Sequence, residues 1–233
     1  MSSELKLKVL AIHGYRQSDK IFSAKIGSMR KNFKKELDFT FIRAPHKISY
    51  TEKYSNEQTE VNLKFEDTNE YGWWFNTQNK TFKAVNSSDL CVGFDESLQL
   101  IEQIFKEQGP FDGLIGFSQG GSFVSILCAM QQLKIIPIEF QFAIIISGFI
   151  SLCKPHEVFY KQKINLPTLH VYGNSDQVIP TYKAKELCDL FIDKEVVLHE
   201  GGHYVPGSKH IYNNFIKKMI TKKLNSLQWY EIL

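Results

Sequence analysis

Short apolar stretches alternate along the chain with segments whose apolar residues recur at helical spacing. Six of the stretches have the length and the β-branched or aromatic content of buried strands. These strands are predicted at residues 8–12, 39–42, 114–117, 142–147, 168–172 and 196–199. Because helical segments separate them, the pattern predicts an α/β protein, with a doubly wound, mostly parallel sheet of about six strands and helices on both faces.

The helical segments show apolar residues three and four positions apart. The first is predicted from one apolar face made of Phe22, Ile26, Met29, Phe33 and Leu37. Later helices are predicted around residues 98–105, 124–128, 184–191 and 211–220, and the first of these stops at Gly109-Pro110.

Residues 46–88 interrupt this alternation with a long polar segment, in which Trp73-Trp74-Phe75 is the one dense apolar spot. The chain has 233 residues and neither an internal repeat nor a linker-like stretch. This length suits one domain. We therefore predict a single domain over residues 1–233 with an insert at about 46–88.

Composition narrows the class of protein. Hydrophobic residues make up 43% and charged residues 23%, as in ordinary soluble globular proteins, and the net charge of +3 gives no reason to expect nucleic acid as a partner. The apolar stretches are far shorter than the roughly 20 residues that cross a bilayer, so no membrane span is predicted. We expect a cytoplasmic or nuclear protein with reduced cysteines and no metal, because the four cysteines are scattered without ligand spacing: Cys91, Cys128, Cys153 and Cys188.

The strand at 114–117 runs into Gly116-Phe117-Ser118-Gln119-Gly120, a G-x-S-x-G pentapeptide followed by a helix. This arrangement is typical of a nucleophile elbow, a strained turn that projects a serine hydroxyl above the edge of the sheet. A dinucleotide-binding loop is the competing interpretation, and it is disfavoured because G-x-G-x-x-G is absent. Ser118 is the predicted nucleophile.

A serine hydroxyl needs a base, and the base needs an orienting group. His203 stands in a Gly-Gly-His turn after the last predicted strand, and Asp176 follows the strand before that one. The order Ser118, Asp176, His203 is the chain order of α/β-hydrolases. A loop histidine is often inert and an aspartate often caps a turn, but position favours a catalytic triad here.

The first predicted strand ends in His13-Gly14-Tyr15. An oxyanion hole in this architecture takes one backbone N–H from the loop after that strand and one from the residue after the nucleophile. These donors are predicted to be the N–H groups of Tyr15 and Gln119.

Taken together, these motifs resemble the FSH family of serine hydrolases, and within it the ovarian-cancer-associated esterase branch. The resemblance covers about residues 7–220 and leaves the tail after about 224 without a counterpart. The matching stretches are His13-Gly14-Tyr15-Arg16-Gln17-Ser18, Ala44-Pro45-His46, Gly72-Trp73-Trp74-Phe75, Gly109-Pro110-Phe111-Asp112-Gly113, Ser147-Gly148-Phe149, Leu166-Pro167-Thr168-Leu169-His170-Val171-Tyr172-Gly173 and Gly201-Gly202-His203. The resemblance implies an α/β-hydrolase fold, the same Ser118-Asp176-His203 triad and carboxylesterase activity.

The predicted function is therefore hydrolysis of a small-molecule carboxylic ester, with an apolar acyl chain, through an acyl-enzyme and without a cofactor, by a monomer or homodimer. Two alternatives stay open: a thioesterase, and a receptor-like ligand-binding member of the fold with little turnover. Trp73, Trp74 and Phe75 have two interpretations of equal weight. They line the substrate pocket, or they form a satellite core that anchors the insert.

Overall fold

A six-stranded parallel sheet lies at the centre of the computed structural model, which describes residues 5–48 and 69–230. Its strands are β1 (Leu7–Ile12), β2 (Leu37–Ile42), β5 (Gly113–Phe117), β6 (Phe142–Ile146), β7 (Thr168–Gly173) and β8 (Lys194–His199), in the spatial order β2-β1-β5-β6-β7-β8. Two further strands, β3 (His46–Lys47) and β4 (Tyr71–Gly72), form a short antiparallel pair. All six predicted strands are thus confirmed.

Helices cover both faces of the sheet. They are α1 (Asp19–Lys25), α2 (Gly27–Asn32), α3 (Phe94–Gln108), α4 (Gln119–Gln132), α5 (Thr181–Cys188), α6 (Lys209–Tyr230) and a 3-10 helix at Lys154–Tyr160. Successive strand residues point to opposite faces, so β1 sends Val9 into one hydrophobic core and Leu10 into another. The first core contains side chains of α1, α2 and α6, and the second contains side chains of α3, α4 and α5.

The first predicted helix differs from the structure at both its middle and its end. The backbone at Ile26 has φ −95° and ψ 21°, which ends α1 and separates it from α2. Leu37 does not belong to a helix, because the chain turns after Phe33 and Leu37 pairs with Leu7 as the first residue of β2. The spacing was misleading because both the helices and β2 bury their apolar residues in the same core.

The edge strand β8 departs from the prediction of a buried strand. It pairs with β7 on one side only, and the side chains of Val196 and Leu198 are 45% and 49% exposed. At the end of the chain, α6 continues through the tail after 224 as far as Tyr230. None of the helices in the described part of the chain combines the length and apolar character needed to cross a membrane.

Of the predicted insert at 46–88, residues 49–68 lie outside the described residues. The described part returns along the edge of the fold, where β4 pairs with β3 and Phe75 pairs with Val92. These pairings bring Trp73-Trp74-Phe75 under the carboxyl ends of the strands.

Candidate active site

Ser118 occupies the turn between β5 and α4, with a backbone φ of 55° and ψ of −119°. A positive φ is costly for a residue with a side chain, and such strain is typical of functional sites. The flanking glycines are required by packing. A side-chain carbon on Gly116 would collide with the carbonyl of Gly120, and one on Gly120 would collide with the carbonyl of Ile12. The structure thus gives the pentapeptide the geometry of a nucleophile elbow.

His203 and Asp176 form a direct pair, with 2.7 Å between His203 Nδ1 and Asp176 Oδ2. The second carboxylate oxygen of Asp176 accepts the backbone N–H groups of Val178 at 2.9 Å and Ile179 at 2.8 Å. The carboxylate is therefore held in one orientation by the chain that follows it. Since a carboxylate can only accept, Nδ1 of His203 carries the proton, and Nε2 is left to accept another.

Ser118 and His203 line the same cavity, and the His203 ring packs on Phe117, the residue before the serine, with 4.8 Å between ring centres. The hydrogen bonds of the described residues join His203 to Asp176 but do not join Ser118 to His203. Catalytic hydrogen bonds of this kind often tighten only when substrate is bound. The structure thus brings the three predicted residues to one edge of the sheet, two of them in contact.

The loop after β1 lies directly against Ser118. A side-chain carbon on Gly14 would come within 3.3 Å of Ser118 Cβ, which shows how closely the two backbones approach. His13 holds this loop, since its Nδ1–H donates to the Gly14 carbonyl at 2.8 Å and its Nε2 accepts the N–H of Ala44 at 3.0 Å. Burial lowers the pKa of His13 to about 4, so the ring stays neutral and keeps both bonds. Tyr15, the predicted oxyanion donor, follows this fixed pair and lines the cavity.

Gln119 has a second role that the sequence did not indicate. Its side chain is fully buried, with Oε1 accepting the N–H of Trp73 at 3.0 Å and Nε2 donating to the carbonyl of Trp74 at 2.8 Å. Trp73 is held further by its indole N–H, which donates to the His13 carbonyl at 2.7 Å. The residue that supplies the predicted second oxyanion donor thus also fastens the insert to the elbow. No local pattern signals this contact, because the partners are about 45 positions apart.

The positions of Trp73, Trp74 and Phe75 favour the second of their two interpretations, a satellite core that anchors the insert. All three side chains are fully buried in the protein interior, where Trp74 meets the rings of Phe94 and Phe123 edge-on, and none of them lines the cavity beside Ser118. That cavity has a volume of about 360 Å³. It is lined by Tyr15, Gln17, Lys25, Phe82, Lys83, Ala84, Val85, Phe117, Ser118, Val178, Ile179 and His203.

A parallel sheet covered on both faces, with a serine on a strained strand-to-helix turn, defines the class of α/β-hydrolases. Solved structures agree on the fold. Esterase PE8 superposes with a TM-score of 0.59 at 19% identity, covering 92% of each chain. Acyl-protein thioesterase 2 of Zea mays gives 0.57 at 13% identity, covering 94% of this chain and 95% of that one. The chain belongs to the serine hydrolase family FSH1, whose family model matches residues 1–215.

Relatives within this family match along almost the whole chain. Esterase OVCA2 of Danio rerio is 38% identical, covering 93% of this chain and 99% of its own. Esterase AGAP003155 of Anopheles gambiae is 39% identical, covering 97% and 82%, and Esterase OVCA2 of Homo sapiens is 32% identical, covering 89% and 93%. The predicted family, fold and enzyme class, a serine hydrolase of the carboxylesterase type, are confirmed.

Proposed function

We propose that this enzyme hydrolyses carboxylic esters through an acyl-enzyme formed on Ser118, with His203 as general base and Asp176 as its orienting partner. The observation that carries the proposal is the 2.7 Å pair of His203 and Asp176, because His203 lines the same cavity as the strained Ser118. The printed names of the relatives, which are esterases, support the same chemistry.

The mechanism follows from the hydrogen bond between His203 and Asp176, which leaves Nε2 of His203 to act as the base. His203 Nδ1–H is engaged by Asp176, so Nε2 takes the proton as Ser118 Oγ bonds to the ester carbonyl carbon. The carbonyl π electrons move to its oxygen, and the backbone N–H groups of Tyr15 and Gln119 stabilise that negative charge. Each such donor is worth about 2.7–4 kcal/mol in related hydrolases.

Collapse of the tetrahedral intermediate expels the alcohol, which takes its proton from His203. Water then gives a proton to His203 Nε2 as it adds to the acyl carbon. The second tetrahedral intermediate collapses to the carboxylic acid, and Ser118 Oγ leaves with that proton from His203. Two backbone donors hold the second oxygen of Asp176, so the carboxylate stays directed at His203. In that position it stabilises the imidazolium in both halves of the reaction.

We further propose that the acyl chain occupies the cavity beside Ser118. Its apolar wall includes Phe82, Ala84, Val85, Val178 and Ile179. Cavities of this kind bind ligands mainly through apolar area. An acyl chain longer than acetate would therefore gain contact with each added carbon.

Steady-state kinetics on nitrophenyl esters from acetate to decanoate test the proposal. Ser118→Ala should lower kcat by about 10⁴-fold or more. Asp176→Asn should lower it by about 10³–10⁴-fold, because the amide favours the wrong histidine tautomer. Ser175→Ala is the matched control, since this serine lies exposed beside Asp176 and its hydroxyl donates to the Glu200 carbonyl.

The control should keep full activity. Equal activity of Ser118→Ala and the unaltered enzyme would overturn the assignment. A panel that includes thioesters would separate esterase from thioesterase activity, and binding without turnover would favour a receptor-like protein.

A further inference from the structure

Cys91, Cys153 and His156 meet beside the buried Trp74. Their ligating atoms all lie within 4.8 Å of one another, and Cys91 Sγ is 3.0 Å from His156 Nε2. Cys91 lies in the loop before α3, and the other two residues begin the 3-10 helix. Hydrogen bonds between the two segments hold them together, since Lys154 N–H donates to the Ser88 carbonyl at 2.8 Å.

The histidine of this cluster is oriented as metal-bound histidines are. Its Nδ1 lies 2.7 Å from the Ser151 hydroxyl, which fixes the ring and directs Nε2 at Cys91. A hydrogen bond to the other ring nitrogen is the usual support of a histidine ligand. The ring is buried, and a histidine binds a metal ion in its neutral form.

The sulfur of Cys153 lies beside three side chains, those of Cys91, Ser151 and Trp74. Trp74 is fully buried, and its Nε1–H has no conventional hydrogen-bond partner among the described residues. A thiolate at Cys153 would give that N–H a charged acceptor.

We propose that Cys91, Cys153 and His156 bind one divalent ion of the zinc class. Binding would release the two thiol protons to solvent, and a water molecule would take the fourth position. Two thiolates and a neutral imidazole balance the charge of such an ion, so the occupied site carries no net charge into the protein interior. Around a tetrahedral zinc ion, sulfur and nitrogen ligands lie about 3.5–3.8 Å apart. The distance between Cys91 Sγ and His156 Nε2, 3.0 Å, is shorter than that range, and all distances among the three ligating atoms are at most 4.8 Å.

Bound metal would stabilise the packing around Trp74 and Phe75 rather than take part in ester hydrolysis. Trp74 packs edge-on against His156 with 5.4 Å between ring centres, and Val92, the neighbour of Cys91, pairs with Phe75. An ion here joins the two segments that enclose the aromatic triplet. Because an ion bound only by the folded state stabilises it, zinc should raise the melting temperature.

Calorimetric titration of the reduced, chelator-stripped full-length protein with Zn²⁺ tests the site. One ion should bind per chain, with a visible thiolate charge-transfer band when Co²⁺ replaces Zn²⁺. Cys91→Ala should weaken binding by at least about 100-fold, and Ser151→Ala, which keeps every ligand, by about 10–100-fold. Cys188→Ala is the matched control, since Cys188 is a buried free cysteine on α5, outside the cluster.

Loss of the charge-transfer band in Cys91→Ala but not in Cys188→Ala would support the proposal. Zinc binding that survives Cys91→Ala, as it would if His203 and Asp176 held the ion, would overturn it. A reduced protein that binds no zinc would also overturn the proposal. If peroxide then joined Cys91 and Cys153 as a disulfide, with release of water, the cluster would be assigned to redox chemistry instead.

Discussion

Two neighbouring stretches of the insert, residues 73–75 and 82–85, lie within a few residues of each other and differ completely in their surroundings. Trp73, Trp74 and Phe75 are fully buried and fixed through the Gln119 side chain. In the stretch 82–85, Val85 is 54% exposed, and all four residues line the cavity beside Ser118. The denser aromatic stretch anchors the insert, and the sparser one forms the proposed substrate surface.

The difference reflects what each surface must do. A large aromatic side chain gains most free energy when it is completely removed from water, which suits an anchor. A binding cavity must leave apolar surface uncovered for a ligand. Phe82 connects the two regions, because its ring packs on Trp74 of the anchor and on Tyr15 of the cavity wall, with 5.6 Å and 5.4 Å between ring centres.

The largest expected effect is on the anchor. Trp74→Ala removes a fully buried indole from the core and should lower the free energy of unfolding by about 3–5 kcal/mol. Activity should fall by the same factor for short and long esters, because the anchor does not line the cavity. Urea unfolding, beside kcat/KM from acetate to decanoate, measures both. A selective loss for long esters at unchanged stability would place Trp74 in the acyl pocket after all.

Acid should weaken the structure through histidines that are buried while neutral. Burial lowers the pKa of His13 to about 4 and that of His170 to about 3, below the ordinary value of 6.5. Below pH 6.5 the unfolded chain therefore binds protons that the folded chain does not. Stability should fall as the pH falls from 6.5 to about 4, with about one proton taken up on unfolding for each histidine.

Unfolding measured at several pH values tests this expectation. His170→Leu should remove about one proton from the pH dependence and leave the contribution of His13, whose ring packs against Trp73 of the anchor at 5.0 Å. Stability that stays constant between pH 6.5 and 4 in the unaltered protein would contradict it.

The link between anchor and elbow should give an effect on stability of similar size. Gln119→Ala leaves the Trp73 N–H and the Trp74 carbonyl without their buried partners, at a cost of about 1–3 kcal/mol for each unsatisfied group. The backbone N–H of residue 119 remains, so we expect reduced kcat from a displaced elbow rather than abolished turnover. Gln99→Ala, at an exposed position inside α3, is a control for helix propensity. Equal stability of the two variants would show that the link is unimportant.

The smallest effect should come from the cavity wall. Val85→Ala removes two methyl groups from an exposed position and should change stability by less than about 0.5 kcal/mol. It should lower kcat/KM for long esters a few-fold and leave acetate unchanged, since each buried methylene is worth about 0.8 kcal/mol. Val196→Ala is the matched control, with a valine 45% exposed on β8 and outside the cavity. A long-chain loss of the same size in that control would exclude a specific contact at Val85.

The sequence could predict those parts of the molecule that leave a local signal. The six strands and the order of Ser118, Asp176 and His203 are local signals, because each residue follows a recognisable strand. The environment of Trp74 is not local, since it depends on Gln119, Phe123 and His156, which the fold brings from 45 or more positions away. For the same reason, scattered cysteines without ligand spacing gave no indication that Cys91 and Cys153 would meet.

Labelling with a fluorophosphonate probe tests the central claim most directly, because the probe reacts only with a serine activated by a base beside an oxyanion hole. Peptide mapping by mass spectrometry should find the unaltered enzyme modified once, at Ser118, and Ser118→Ala unmodified. Modification at Ser147 or Ser175, or no modification of the folded protein, would contradict the assignment of Ser118 as the nucleophile.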